Sequence, residues 1–112
     1  MNKETLEKLK IEVEKASKEL LGDKLNKVIL YGSYARGDFN EESDIDFALM
    51  SKLNETEISA YNDPIGEITS GLSIKYGILI SIIIISSNSF QKYKNVIPFY
   101  MNLVKEGDVF YG

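Results

Sequence analysis

Residues 32–37 read Gly-Ser-Tyr-Ala-Arg-Gly, and residues 43–47, a short loop later, read Ser-Asp-Ile-Asp-Phe. The first stretch follows an apolar run at 28–31 that is typical of a buried strand, and the second opens another such run. Residues two apart on a strand point to the same face, so we expect the carboxylates of Asp44 and Asp46 to lie side by side. The two stretches therefore predict a turn and a pair of carboxylates at the ends of two strands.

The residue types in these two stretches suit phosphate chemistry. Backbone N–H groups and the hydroxyl of a Gly-Ser turn can bind phosphate oxygens, and paired carboxylates can share a divalent cation. Taken singly, a Gly-Ser turn is most often only a turn, and an Asp-x-Asp pair is most often a solvated strand end. Together, in this order and at this spacing, they predict phosphoryl or nucleotidyl transfer.

The combined pattern resembles the signature of the DNA polymerase beta-like nucleotidyltransferase superfamily. It is most similar to the minimal nucleotidyltransferases, small proteins often paired with a helical HEPN-domain protein as antitoxin and toxin. The motif covers residues 32–47, and chain length and element order extend the resemblance loosely over the whole chain. The resemblance implies an α/β (α+β) fold, a small mixed β-sheet flanked by helices, in a single domain over residues 1–112.

The predicted catalytic residues are Asp44 and Asp46, which would hold Mg²⁺ or Mn²⁺. The chain has no histidine and no cysteine, so any metal must be held by oxygen, which favours these two ions. In the predicted nucleotide site, Gly32 leaves room for the triphosphate of ATP, and Ser33 binds a terminal phosphate oxygen or caps a helix.

Two further predicted nucleotide-binding residues have a structural alternative. Arg36 either neutralises phosphate or braces its loop by pairing with a nearby acid, for which Asp38, Glu41 and Glu42 are the candidates. Ser43 belongs to the predicted nucleotide site by its position, although a turn residue that supports Asp44 is the simpler interpretation.

The sequence departs from the superfamily pattern at one point. The resemblance implies a third carboxylate, on the strand after the second long helix, which helps to bind the metal and takes the proton of the attacking hydroxyl. That strand is expected at 78–85, where Ser81 is the only polar residue, and no acid lies between Glu67 and Glu106. Either Glu67, Glu106 or a partner supplies the acid, or the protein binds nucleotide without rapid turnover.

Charge and composition narrow the class of protein. The net charge of −4 argues against tight binding to a DNA or RNA template, which depends on basic patches. The longest apolar run is too short to span a bilayer, and the sequence shows no apolar targeting segment, so we expect a cytoplasmic protein that does not bind membranes.

The resemblance implies two functions that differ in chemistry. One is a Mg²⁺-dependent enzyme that transfers AMP from ATP to a hydroxyl group, with a HEPN-type protein partner preferred as acceptor over a small molecule. The other is a catalytically weak or inactive nucleotide-binding antitoxin that acts by protein–protein contact.

Periodicity and turn residues predict the elements around the motif. We expect a first helix from the cap Asn2 to Gly22, and strands at 28–31 and 44–50. A second long helix at about 58–76 either kinks at Pro64 or, as we prefer, starts afresh with Asp63 as its cap. The remaining predicted elements are a short helical turn at 33–36, a central strand at 78–85, a helix around 90–93, a helix from 98 to 107 and an edge strand at 109–111.

Overall fold

A computed structural model describes all residues from 1 to 112. It contains a four-stranded mixed sheet with helices on both faces, in the strand order β3-β2-β1-β4. β2 pairs with β3 in parallel, and β1 pairs with β2 and β4 in antiparallel orientation. The predicted fold class is therefore confirmed. In chain order, the elements are α1 (Lys3–Leu21), β1 (Leu25–Tyr31), α2 (Ser33–Arg36), β2 (Ile45–Ser51), α3 (Glu55–Ser59), α4 (Asn62–Tyr76), β3 (Ile80–Ser86), α5 (Ser87–Tyr93), α6 (Pro98–Glu106) and β4 (Asp108–Tyr111).

The two faces of the sheet carry different cores. On one face, Ile45, Phe47 and Leu49 of β2 are buried in the larger cluster, together with apolar residues of α1 and α4. On the other face, a smaller cluster around Ala48 and Met50 lies beneath α5 and α6. Asp46 alternates with Phe47 along β2 and therefore belongs to the smaller, less covered face. None of the helices combines the length and the apolar character that a membrane span would need.

The helix predictions are confirmed for most elements. α1 begins after Asn2, whose side chain accepts the N–H of Thr5 at 2.8 Å, and ends before Gly22. The expected helical turn is present as α2. The chain does restart near Pro64 rather than kink, but α4 begins at Asn62 with Tyr61 as its N-cap, so Asp63 is not the cap. Pro64 is then the third helical residue, whose N–H would have no partner within the helix in any case.

One strand is present as predicted but lies at a different position in the sheet. The isoleucine-rich strand was expected at the centre of the sheet, yet β3 lies at its edge and pairs only with β2. Both faces of β3 are apolar because residues of α3 and α4 pack on one face and the smaller core lies on the other. An apolar pattern on both faces of a strand indicates that both faces are buried, but it does not indicate how many strands pair with it.

Candidate functional site

The two predicted carboxylates lie where β2 begins. Asp46 is the second residue of β2 and is half-buried, whereas Asp44 is exposed and precedes the strand, which starts at Ile45 rather than at Asp44 as predicted. Burial raises the pKa of Asp46 above its ordinary value, and the negative charge of Asp44 raises it further. The two carboxylates therefore repel each other and would be stabilised by a cation between them.

Asp46 has a neighbour on each adjacent strand. Tyr31, the last residue of β1, is its register partner on one side, and Ser81 of β3 is its register partner on the other. Burial, with a smaller contribution from the charge of Asp46, raises the pKa of Tyr31 to about 12, so the phenol stays protonated at neutral pH. Register partners point to the same face of a sheet, so Tyr31, Asp46 and Ser81 form one polar row.

Gly32 joins β1 to α2 directly beside this row. Its φ of +76° is one that other residues rarely adopt, and a Cβ there would lie 2.6 Å from Oδ2 of Asp46. Sequence reasoning assigned Gly32 to the approach of a triphosphate. The structure adds a second requirement, because only glycine lets the turn and the Asp46 carboxylate lie in contact.

The turn after Gly32 is closed by its own backbone. The N–H groups of Ala35 and Arg36 both donate to the Gly32 carbonyl at 3.1 Å. Gly32 itself occupies the N-cap position of α2, with no side-chain capping bond, so Ser33 is not the cap. The hydroxyl of Ser33 at the first helical position remains the predicted phosphate ligand of the turn.

Arg36 pairs with two acids, one near in sequence and one distant. Its Nε donates to Asp38 at 3.1 Å and its Nη1 donates to Glu106 at 3.3 Å. The hydrogen bonds to Asp38 and then to Glu106 raise the pKa of the guanidinium. Of the three acids proposed as its brace, Asp38 is correct, while Glu41 and Glu42 form no ion pair with it. The side chain is still 41% exposed, so it remains open to an incoming anion.

Ser43 supports the loop that leads to Asp44. Its Oγ accepts the backbone N–H of Asn40 at 3.0 Å, and its own N–H donates to the Asn40 carbonyl at 3.1 Å. These bonds fit the turn interpretation of Ser43, and its contact with nucleotide stays a prediction.

The acid expected on β3 has no substitute in the site. No set of three acidic side chains lies close enough together to hold a metal ion. Glu67 is exposed on α4, which packs against the opposite face of the sheet, and Glu106 is engaged by Arg36. Ser81 alone lies where the superfamily pattern expects the acid, beside Asp46 in register.

The donor set nevertheless fits a hard divalent cation. Mg²⁺ commonly takes one or two carboxylates from the protein and completes its octahedral shell with water and substrate phosphates. Asp44 and Asp46 could supply such carboxylates, and the Gly32 turn lies against Asp46.

A pocket of about 210 Å³ extends from this turn along α6. Its aromatic wall is formed by Phe99, whose ring meets that of Tyr31 edge-to-face at a centroid distance of 5.4 Å. The other residues that line it include Gly32, Arg36, Asn102 and Glu106. The largest pocket of the molecule lies elsewhere, at the far end of the same sheet face.

Sequence comparison places the chain among known proteins. The profile of the nucleotidyltransferase domain family matches residues 6–104. A Methanocaldococcus jannaschii protein named "Putative protein adenylyltransferase MJ0604" is 36% identical over 105 residues, which cover 88% of this chain and 97% of that protein. A second protein of that organism, "Putative protein adenylyltransferase MJ0141", is 48% identical over 73 residues, or 65% of this chain and 72% of its own length.

Two solved structures share the fold. A chain from a crystal structure of a toxin-antitoxin with AMP-PNP superimposes with a TM-score of 0.53 at 18% identity, covering 86% of this chain and 68% of that one. A chain from a mutant of the toxin-antitoxin MntA-HpeT gives a TM-score of 0.58 at 16% identity, covering 100% and 74%. At these identities the likeness concerns the fold.

Proposed function

The chain belongs to the nucleotidyltransferase domain family, and from that premise we propose that it transfers AMP from ATP to a hydroxyl group of a protein partner. The observation that carries this proposal is the contact between the Gly32 turn and the carboxylate of Asp46. It joins a phosphate-binding element and a metal-binding element within one small site, as nucleotidyl transfer requires.

Each predicted site residue then has a distinct task. Asp44 and Asp46 would hold Mg²⁺, which would supply neutralisation of charge on the ATP phosphates. In the transfer, the hydroxyl oxygen of the partner bonds to the α-phosphorus of ATP, the bond from that phosphorus to the bridging oxygen breaks, and pyrophosphate leaves. Gly32 and Ser33 bind phosphate oxygens through the turn. Arg36 binds the triphosphate by exchanging its carboxylate partners, Asp38 and Glu106, for phosphate oxygens, which its planar fork of donors can hold in pairs.

The site lacks a general base that could take the proton of the attacking hydroxyl. Serine is a poor base at neutral pH, so Ser81 cannot take up the proton as a third carboxylate would. Loss of a general base typically costs about 10²–10⁴ in rate, while positioning and metal charge are retained. We therefore expect slow transfer, unless the partner supplies the base.

A protein acceptor is supported by the names that relatives and structural neighbours carry. Two relatives are named as protein adenylyltransferases, and both structural neighbours come from toxin-antitoxin structures. A tyrosine of a HEPN-type toxin fits the acceptor role by chemistry, because a phenol is more acidic than an aliphatic hydroxyl. In this proposal the chain acts in the cytoplasm as the antitoxin.

The absence of the third acid favours a second candidate function. A chain that binds ATP but transfers AMP too slowly to matter would neutralise its toxin by contact alone. The two functions make different demands on Asp44 and Asp46, since contact inhibition does not require them.

One experiment distinguishes the two functions. The protein is incubated with α-labelled ATP, Mg²⁺ and the product of the neighbouring gene, and label on that partner is measured together with the partner's toxicity. If the protein transfers AMP, the partner becomes labelled and loses its toxicity, and the double variant Asp44→Asn, Asp46→Asn abolishes both effects. Neutralisation that survives the double variant, with no label on the partner, would contradict the enzymatic function and support contact.

A further inference from the structure

We propose that α5, α6 and the adjoining end of the sheet form a docking surface for an acidic, amphipathic segment of a partner protein. We call this surface the cationic patch, and it is defined by Lys27, Lys94, Val96, Met101, Val104 and Val109. The inference rests on the proposed function in one respect, because the patch is where the protein partner of that function would bind.

The patch surrounds the largest pocket of the molecule. This pocket holds about 580 Å³ between the sheet and the two helices, and seven of its twelve lining residues are hydrophobic. Its floor is formed by Ile29 and Met50 of the sheet, and its walls by Phe90 of α5 and Val104 of α6. A hollow of this kind accepts apolar side chains from a partner.

Exposed apolar side chains extend from the pocket onto the surrounding surface. Val104 is 63% exposed, Met101 47% and Val109 46%, and Val96 lies 71% exposed in the link between α5 and α6. Single exposed apolar residues are ordinary, but several around one apolar pocket mark an interaction site.

Lysines line the pocket and acids do not. The acids at its margin already have partners, since Glu106 pairs with Arg36 and Asp108 with Lys10. Glu55 accepts a hydrogen bond from Ser89 of α5. Lys27 and Lys94 line the pocket, and neither forms an ion pair within the protein. Unpaired cations beside an apolar pocket select a partner that presents acids beside its apolar residues.

A second copy of the chain does not meet this requirement. A symmetric dimer places the same patch on both sides of the interface, so the lysines of one copy would face those of the other. A nucleic acid would satisfy the lysines but leave the apolar pocket unfilled. An acidic amphipathic helix satisfies both features, with apolar residues at helical spacing in the pocket and acids against the lysines.

The location of the patch suits a partner that receives AMP. The pocket lies on the same sheet face as Asp46, and Met50 is four residues further along β2, which is roughly 13 Å away. Leu103 lines both this pocket and the smaller one beside Gly32. A partner on the patch would therefore leave the ATP site open while it lies close enough to present a hydroxyl there.

The test uses a designed probe, since the natural partner is not identified. The probe is a labelled helical peptide of about four turns, with leucines along one face and glutamates on the other. Its binding to the full chain is followed by fluorescence anisotropy at low and high salt. We expect saturable binding that salt weakens and that falls at least about tenfold in the charge-reversed variant Lys27→Glu, Lys94→Glu, since like charges are then opposed.

Matched variants keep the result specific. Lys3→Glu with Lys15→Glu makes the same change of net charge on exposed lysines of α1 and should bind the probe like the wild type. The milder pair Lys27→Ala, Lys94→Ala should also weaken binding, and it replaces the charge-reversed pair if that one fails to fold. Asp44→Asn with Asp46→Asn should bind the probe unchanged, so failure of nucleotidyl transfer and failure of docking are distinguishable.

Several outcomes would overturn the proposal. They are absence of saturable binding, equal loss of affinity in the α1 control, and equal binding of a peptide with lysines in place of the glutamates. Tighter binding of a single-stranded oligonucleotide or of vesicles rich in anionic lipid would assign the patch to those ligands instead.

Discussion

Replacing Ser81 by aspartate should supply the acid that the site lacks. Ser81 is half-buried and is the register partner of Asp46 on the parallel strand β3. Paired strands lie about 4.8 Å apart, and partners point to the same face, so the new carboxylate would lie within reach of a cation held by Asp46. The substitution therefore tests both the placement of the metal and the reason for slow transfer.

The magnitudes follow from this spacing. Two carboxylates about 5 Å apart repel by about 3 kcal/mol at an effective dielectric constant near 20, before solvent screening reduces the cost. We expect the metal-free variant to lose about 1–3 kcal/mol of unfolding free energy, which lowers Tm by roughly 5–15 °C for a domain of this size. Bound Mg²⁺ offsets the repulsion, and transfer should become at least about tenfold faster, the conservative end of general-base effects.

The assay has two parts. Tm is measured in EDTA and again with Mg²⁺ and ATP, and the rate of labelling of the partner is measured with α-labelled ATP. Ser81→Asn is the matched control, because it has nearly the same shape as aspartate without the charge, and it should show neither the loss in EDTA nor the recovery in Mg²⁺.

Two results would refute the reasoning. A loss of stability that Mg²⁺ does not relieve would mean that the side chain at position 81 does not reach the metal. A variant that folds and binds Mg²⁺ more tightly, yet transfers AMP no faster, would place the missing base on the partner.

Three other predictions concern the same site. Gly32→Ala should lower the unfolding free energy by about 1–3 kcal/mol, which is more than Gly37→Ala should. Both glycines have a positive φ, but only a Cβ at position 32 would meet Asp46. Equal losses of unfolding free energy in urea would disprove the contact. Mg²⁺ with ATP should raise Tm, and Asp44→Asn with Asp46→Asn should remove that rise; a full rise in the double variant would contradict the metal site. Asp46→Asn alone should stabilise the metal-free protein at pH 7, because the raised native pKa of Asp46 means that its ionisation opposes folding. The gain in stability should fade as the pH falls through the raised pKa towards 3.8. A Tm difference that stays constant from pH 7 to pH 3 would argue against burial of Asp46 as its cause.

Local patterns were sufficient to predict most of the helices and the turn of the site. Asn2 and Gly22 bound α1 because capping depends on residues within one turn, and the strand–turn–strand motif placed Gly32 and Asp46 correctly for the same reason. Ser81 could be placed near Asp46 only through the resemblance, because the register of two strands that are far apart in sequence cannot be predicted from local sequence patterns.

Features that depend on distant residues were missed or misjudged. The pairing of Arg36 with Glu106 joins residues 70 apart, and no spacing rule predicts it. The position of β3 at the edge was wrong for a related reason, because burial of its two faces comes from helices and says nothing of its neighbours in the sheet. The N-cap of α4 was misplaced because α4 begins after Tyr61 without a capping side chain, so the local signal on which the prediction relied is absent.

The edge position of β3 has a consequence for how the chain folds in a cell. Its seven residues include five isoleucines and no charge or proline, and such an edge is a template for aggregation when it is left uncovered. Its partner strand β2 and the helices on one of its faces, α3 and α4, precede it in the chain, whereas α5 and α6 on the other face follow it. One face of β3 can therefore be covered as soon as the strand leaves the ribosome, while the other stays open until α5 and α6 have been synthesised.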